Sequence, residues 1–525
     1  MRKRLTRIVS LLLSLAIAGT CALSSSAELA SDASDAPNYV KGIFITPELS
    51  SDASDQDWEN SLKNMKDIGI DTLIIQYAFQ TDSVNGNQAY FNYSTYTDTA
   101  TDTTSYPRRR SQIGWILSAA QKEGMKVYLG LQIAEREWFD ENRYQNYDWL
   151  YHHYWLSTDL ANALWNEFGQ EYADTIAGWY LPFELETSAE YHGYFSQITE
   201  VYYAPTTTYL KGDSRFGSLP VMISPLMYAY DDKTAWQDNL TTLLSGSQID
   251  ILAPQDGVGY GTQTHDTVGD WFRICQNTVR SVNSDTGKTV HLWGNCENYA
   301  RLRNPNETLE TERLKPMAIS KFIDSLDTVA PYVENLITFS LHRWDTVQYY
   351  NQAMGVNLSY YNAYKRYYQT GVRSASKSDG YYVSIQPTGS GQISLNAYAN
   401  AGLTDGFADS TNWGQFKGIS SSNQPFTMEI RFDDPLAIHS VSSHYYQDSS
   451  SGIALPQQVK VEYLVRSGDQ EQILTYTEMG SQVPSGTEAL VLSTVSVSDP
   501  ITADGIRITV TPGSEWVFVD DIWVE

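Results

Sequence analysis

The chain has 525 residues, 42% of them hydrophobic and 18% charged, and a formal net charge of −27. It is too long for one ordinary domain and apolar enough to bury a large core, which excludes a chain disordered throughout. The acidity disfavours nucleic acid and anionic membrane surfaces as partners, because both are polyanions.

The first residues, "MRKRLTR", are basic, and "IVSLLLSLAIAGTCAL" after them is apolar but short for a membrane span. "SSA", ending at Ala27, is a small-residue cleavage site, so residues 1–27 are read as a signal peptide. Its removal takes away Arg2, Lys3, Arg4 and Arg7 and no acids, moving the charge from −27 to −31. An uncleaved anchor is the alternative, and Thr20 before Cys21 fits a lipid-attachment site poorly. The expectation is a secreted protein with no membrane span. Only Cys275 and Cys296 then remain, too few for a disulfide scaffold and without metal-ligand spacing. A bond between them is not favoured, since one is predicted on a helix and the other at a strand end.

Residues 28–38 form a small polar linker. From there the chain alternates β-like and helix-like segments. Strands are predicted over 39–49, 70–79, 125–134, 178–186, 219–228, 249–259, 289–298 and 335–344. Helices are predicted over 55–69, 108–123, 156–177, 189–202, 234–245, 266–282, 315–330 and 347–368. In the first helix Trp58, Leu62, Met65 and Ile68 share a face. The strands are continuously apolar and turn polar at their C-terminal ends, the pattern of a parallel sheet covered on both faces. Eight such units across 39–372 predict a closed (β/α)8 TIM barrel, with an open doubly wound sheet as the alternative. No phosphate-binding glycine loop follows the first strand, where the chain reads "TPELSSDASD".

Past the linker 373–380 ("RSASKSDG") helical periodicity is absent. Short strands at 427–432, 437–446, 457–465, 505–512 and 516–524, separated by turn residues, predict an all-β sandwich over 381–525.

Barrel enzymes build their sites where strands end. The polar residues at those ends are Glu48, Gln76, Gln80, Gln132, Glu135, Glu184, Glu186, Ser224, Tyr228, Gln255, Asp256, Asn295, Glu297, His342 and Trp344. Carboxylates dominate. The chain has 8 His, the pair His152–His153 falls in a loop-like aromatic stretch, and a catalytic metal is not expected. A serine triad lacks its G-x-S-x-G elbow. Two-carboxylate chemistry remains: one carboxylic acid protonates a leaving glycosidic oxygen while a second carboxylate attacks the anomeric carbon or activates water. Aromatic content of 13% suits sugar stacking as well as ordinary cores.

The residues Glu184 ("LPFELE") and Glu297 ("GNCENY") lie at the predicted ends of strands four and seven. There the chain resembles the large clan of retaining barrel glycosidases, which carries its acid/base on strand four and its nucleophile on strand seven. That resemblance implies Glu184 as acid/base and Glu297 as nucleophile. It is incomplete, because the clan usually has Asn before the acid/base and Phe183 stands here. "PFE", "APQDGVG" and "NCE" together resemble a bacterial family of barrel proteins of glycosidase type, catalogued as domain of unknown function 4434, over roughly 39–370. Glu48, Gln76, Gln132, Tyr228, Gln255, Asp256, Trp293, Asn295, His342 and Trp344 are the expected substrate-binding set. Each has a plainer reading. Glu297 could pair with Arg301 or Arg303, Glu186 could replace Glu184, Asp256 could cap an Asx-turn in "PQDGVG", and Trp293 and Trp344 could fill the barrel.

In the C-terminal region "LTDGFADSTNWGQF" (403–416), "SSGIALPQQVKVEY" (450–463) and the terminal "VDDIWVE" resemble the discoidin, or coagulation-factor type C, fold. That fold serves as a carbohydrate-binding module beside secreted glycosidases. The resemblance implies sugar contacts from Trp413, His444 or Tyr445 and a calcium ion near Asp405. The combined expectation is a secreted glycoside hydrolase acting on oligo- or polysaccharides, needing no cofactor for catalysis, its oligomeric state open. The rival readings are a non-catalytic glycan-binding barrel and another carboxylate enzyme, such as a lyase or isomerase.

Overall fold

The computed structural model describes residues 37–47, 54–81, 86–93, 109–134, 145–186, 192–227, 232–301, 314–339, 359–373, 376–381, 383–395, 403–404, 416–467, 470–478 and 489–525. The predicted signal peptide, Glu48, Glu135, Tyr228, Arg303, His342, Trp344, Asp405 and Trp413 lie outside the described residues.

Eight parallel strands close into a barrel in simple sequential order. They are β1 (Gly42–Ile45), β2 (Thr72–Ile75), β3 (Lys126–Gly130), β4 (Ile176–Tyr180), β5 (Val221–Ile223), β6 (Ile251–Leu252), β7 (His291–Glu297) and β8 (Asn335–Phe339), with β1 pairing β8. The helices outside are α1 (Asp55–Asp67), α2 (Gln112–Glu123), α3 (Tyr147–Phe168), α4 (Phe195–Ile198), α5 (Ala204–Gly212), α6 (Lys233–Gly246), α7 (His265–Thr286), α8 (Ile319–Val329) and α9 (Ser359–Thr370). The TIM-barrel expectation is met, and the open sheet is excluded.

Local sequence explains the elements. Ser54 caps α1 reciprocally, since Ser54 Oγ accepts from Asp57 N–H and the Asp57 carboxylate accepts from Ser54 N–H at 2.8 Å. Trp58, Leu62 and Met65 of α1 are buried, as their spacing predicts. The third barrel helix departs from expectation: it begins at Tyr147 rather than 156, because Asn146 caps it by accepting from Trp149 N–H at 3.0 Å. His152 and His153 are therefore helical, not in a loop. The predicted helix at 189–202 instead runs on to Gly212. A π-helical turn at Thr199–Tyr203 joins α4 to α5, and Pro205 is tolerated in the first turn of α5, where no N–H is needed.

Side chains on the strands alternate between two cores. Outward residues such as Leu73, Trp179 and Cys296 join the layer under the helices, which is the larger cluster. Inward residues Phe44, Ile74, Tyr128, Tyr180, Met222, Ile251, Ala253 and Ile337 fill the barrel. Cys275 and Cys296 are both buried and unbonded.

The C-terminal region folds as a mainly antiparallel sheet of curled strands, consistent with the β-sandwich expectation. Its strands are longer than predicted: Phe426–Gln447 pairs with Ala489–Thr511 along most of its length, with two register shifts. Such irregularities let one strand curl through both faces of a sandwich. His444 and Tyr445 lie within that strand, as predicted, and Tyr445 is buried in the sheet core rather than open to a sugar.

The segment read as a linker is not a loose tether. Ser376, Ser378 and Asp379 are buried. Ser378 Oγ donates to Ile522 O at 2.7 Å, Lys377 N–H donates to Val524 O at 2.7 Å, and Arg366 of α9 pairs with Asp379 at 3.0 Å. Removing one partner of a buried pair strands the other charge, so Arg366→Ala is expected to lower stability by about 3 kcal/mol. Lys321→Ala breaks only the pair with exposed Asp434 and is expected to change stability by less than about 1 kcal/mol. Thermal melting of the two variants checks the contrast.

Candidate active site

Three inward residues of β7 define three levels of the barrel interior: Trp293, Asn295 and Glu297. Successive inward positions rise by about 6.6 Å, two strand residues. At the lowest level Trp293 meets Tyr128 edge-on, with ring centroids 5.8 Å apart. Trp293 was expected to bind substrate; it lies instead about 13 Å below Glu297 along the strand, in the barrel packing.

In the middle level Asn295 Nδ2 donates to Ser224 Oγ at 3.0 Å, and Gln255 Nε2 donates to Ser224 O at 3.0 Å. Isolated parallel bridges link Glu186 to Leu226, Leu226 to Gln255 and Gln255 to Asn295. The strand pairing thus extends past the regular ends of β4, β5 and β6 and fixes the groups above it.

Glu297 occupies the top level, at the end of β7, with no exposed surface. The loop after β6, "QDGVGY", wraps it. Asp256 Oδ1 accepts from Val258 N–H at 3.2 Å, which is an Asx-turn, and from Glu297 N–H at 3.1 Å. Gly257 takes a left-handed φ of +65°, and the turn then aims Tyr260 N–H at Glu297 Oε2, 2.7 Å away. Gly259 has no room for a side chain: a Cβ there would sit 2.1 Å from Tyr299 O and 2.9 Å from Glu297 Cβ. Asp256 is therefore a buried fastener of the loop and strand. Its Asx-turn reading is the one the structure shows.

Burial pushes the Glu297 carboxyl up to about 7, against the backbone N–H groups of Tyr260 and Gly259 and the Tyr299 hydroxyl, which favour its charge. Asp256 is raised well above the carboxylate range, first by burial and then by the charge of Glu297. Glu297 Oε1, Asp256 Oδ2 and Asn295 Oδ1 are buried without a hydrogen-bond partner. This end of the barrel therefore offers acceptors that need donors.

Glu184 follows β4. Leu181, Phe183 and Leu185 enter the outer core, so alternation turns Glu184 and Glu186 to the barrel mouth, where both are half-buried. The Tyr299 phenol is pushed well up by burial, then by the charges of Glu297, Glu184 and Asp256. The charge of Glu184 also raises buried Tyr180. Both carboxylates thus help to raise the Tyr299 phenol.

Gln132 is not brought to this site. Its Nε2 donates to His153 O at 3.2 Å and Ser157 Oγ at 3.3 Å, and its Oε1 lies 2.7 Å from His153 Nδ1. Both ends of the amide are committed to α3. The reason it was misjudged is the late start predicted for that helix. Gln76 is half-buried just after β2. Tyr299, Tyr260 and Gly259 were missed altogether. Tyr299 had a signal, its place two residues past Glu297; the backbone donor of Tyr260 had none. The described residues contain no group of three or more His, Cys, Asp or Glu side chains that could hold a metal ion, and no helix long and apolar enough to cross a membrane.

A TIM barrel with acidic side chains converging at the C-terminal ends of its strands is the class this chain defines. Residues 40–353 match the family described as domain of unknown function DUF4434, and the chain belongs to that family. No curated protein matches it. Among solved structures it is similar to a candidate α-L-fucosidase from Bacteroides thetaiotaomicron VPI-5482, at 16% identity and a TM-score of 0.47, over 64% of this chain and 96% of that one. It is also similar to the endo-1,4-β-D-mannanase of Thermotoga petrophila RKU-1, at 13% identity and a TM-score of 0.38, over 58% and 88%. A chitosan-binding module from the chitosanase/glucanase of Paenibacillus sp. IK-5 aligns at 13% identity and a TM-score of 0.20, over 29% and 99%.

Two outcomes follow from this geometry. Gly259→Ala forces a methyl group into Tyr299 and Glu297 and is expected to destabilise by about 2 kcal/mol, measurable as a fall in melting temperature. The second concerns pH. The folded Glu297 carboxyl titrates near 7, against an ordinary value of 4.5. The folded protein therefore holds the proton more tightly than the unfolded chain. The stability this contributes is complete below about 4.5 and is lost as pH rises through about 7. Glu297→Gln removes the loss, so its melting temperature is expected to gain on the wild type between pH 5 and pH 8, by an amount equivalent to about 3 kcal/mol. A constant difference across that range would contradict the titration.

Proposed function

We propose that this chain is a secreted glycoside hydrolase that cleaves its glycosidic bond with Glu184 as general acid/base and Glu297 as nucleophile, with retention of configuration. The observation that carries the reading is that Glu184 follows β4 and Glu297 ends β7 on the inward side of one barrel, with Glu297 buried and held by the Tyr260 N–H. In the first step the Glu297 carboxylate bonds to the anomeric carbon while the Glu184 carboxylic acid gives its proton to the departing oxygen. In the second, Glu184 takes a proton from water, the resulting oxygen bonds to the anomeric carbon, and Glu297 is released as carboxylate. Tyr299, kept neutral by its raised pKa, donates to Glu297 and steadies it between the two steps. The orphaned acceptor Glu297 Oε1 suits a hydroxyl donor of a sugar. Glycan capture by the C-terminal sheet domain, with calcium near Asp405, belongs to the same proposal.

Variants and a pH profile test the roles. With aryl glycosides as substrates, Glu297→Gln and Glu184→Gln are each expected to lower kcat/KM by at least about 10³-fold, as removal of a reacting group does. Azide is expected to restore turnover to a Glu184 variant, because it replaces water as nucleophile without needing a base. A nucleophile must be ionised, so kcat/KM of the wild type is expected to fall as pH drops below about 7. Loss of activity above that pH instead would make Glu297 the proton donor. Full activity of both variants would rule out the two assigned roles, and no hydrolysis by the wild type would leave a glycan-binding barrel as the reading.

A further inference from the structure

The outer face of α3 carries Tyr147, Tyr151 and Trp155, at spacings of four residues and exposures of 58%, 45% and 54%. Four helical residues rise by about 6 Å, so the rings form a row about 12 Å long. Tyr147 and Tyr151 lie nearly parallel, with centroids 6.2 Å apart and planes 17° from one another. Trp155 stands 6.2 Å beyond Tyr151 and 5.3 Å from half-buried Tyr154. Large apolar side chains normally leave water, and three in register on one helix face mark a binding surface.

The character of the row selects its occupant. Every ring in it is aromatic and none of its exposed apolar groups is aliphatic. Across Tyr147–Phe168 there is no Lys or Arg, while Asp148, Asp159 and Glu167 are acidic. A nucleic acid or an anionic membrane needs cations that this helix does not supply. An uncharged sugar needs only flat apolar faces with polar tips beside them, which is what tyrosine and tryptophan present.

The helix that carries the row also packs behind the site. On the inner face of the same turns, Trp149 and His153 pack on Phe183, with centroids 5.5 Å and 5.3 Å away. Phe183 immediately precedes Glu184. The first turns of α3 therefore hold the acid-bearing segment on one side and the exposed rings on the other.

We infer that Tyr147, Tyr151 and Trp155 form a platform for an uncharged polysaccharide whose chain leaves the barrel mouth across α3, so that the natural substrate is a polymer rather than a small glycoside. The substrate class rests on the glycosidase reading above; the binding platform does not.

The test uses the full protein, its Glu297→Gln variant, and a Tyr147→Ala/Tyr151→Ala/Trp155→Ala variant. All are run in native gels cast with galactomannan, arabinoxylan, mixed-linkage β-glucan or amylopectin. At least one polymer is expected to retard the wild type and Glu297→Gln alike. The row variant is expected to bind that polymer at least about tenfold more weakly. It is also expected to keep its melting temperature and its kcat/KM on aryl glycosides. Trp155→Ala alone gives a partial loss and serves if the triple variant does not fold. Wild-type retardation of the row variant, or no retardation of the wild type in any of the four gels, overturns the platform. So does a wild-type dimer in sedimentation that the row variant abolishes while polymer binding is unchanged. Row-dependent retardation with no hydrolysis by any form overturns the glycosidase reading and leaves the platform standing.

Discussion

A carboxylate with no contact to water must be solvated by the protein, and much of the site is arranged around that demand at Glu297. The nearest donors are the backbone N–H groups of the loop after β6. A loop can present them inward only by turning sharply, which Gly257 allows through its left-handed φ, and by coming very close to β7, which Gly259 allows by having no side chain. Asp256 fixes the turn from inside by accepting from both the loop and the strand. The six residues "QDGVGY" thus have one physical purpose, to replace the hydration that burial takes from Glu297. The replacement is incomplete, and so the carboxyl stays well above its ordinary range.

The levels beneath explain why that arrangement can hold its shape. Trp293 and Tyr128 close the lower barrel, and Asn295, Ser224 and Gln255 tie β5, β6 and β7 together at mid-height. Hydrogen bonds from Asp256 N–H to Asn295 O and from Asn295 N–H to Pro254 O continue the ladder to the base of the loop. In the glycosidase proposed above, such a scaffold positions the reacting groups before substrate arrives, which is the condition for electrostatic stabilisation without reorganisation.

The eight-unit barrel was legible because parallel strands buried on both faces are written as long apolar runs, each ending in polar residues. The positions of Glu184 and Glu297 at the ends of β4 and β7 were legible for the same reason. What failed was anything decided by side-chain direction or by a helix cap. Trp293 shares the inward face of Glu297 but sits four residues lower, so counting pleats down from the strand end would have put it inside the barrel. Gln132 depends on where α3 begins. Asn146 just before the apolar positions Trp149, Leu150 and His153 was the unread signal for that. The grip on Glu297 comes from main-chain N–H groups, which every residue but proline carries, so no side-chain pattern announces it. The long curled strands of the sheet domain hide for a related reason: a register shift lets one strand change faces without any break in its β-like composition.

The junction between barrel and sheet bears on what the second domain can do. Flexible linkers raise the local concentration of a tethered module while leaving its direction free. Here Ser376, Ser378 and Asp379 are buried, the terminal strand accepts from Ser378 Oγ and donates from Val524 N–H to Ser376 Oγ, and α9 supplies Arg366 as an ionic partner of Asp379. The main-chain N–H of Ile319, at the start of α8, donates to Asp379 O, so a second barrel helix joins the same knot. With the junction fixed, the sheet domain cannot sweep around the barrel.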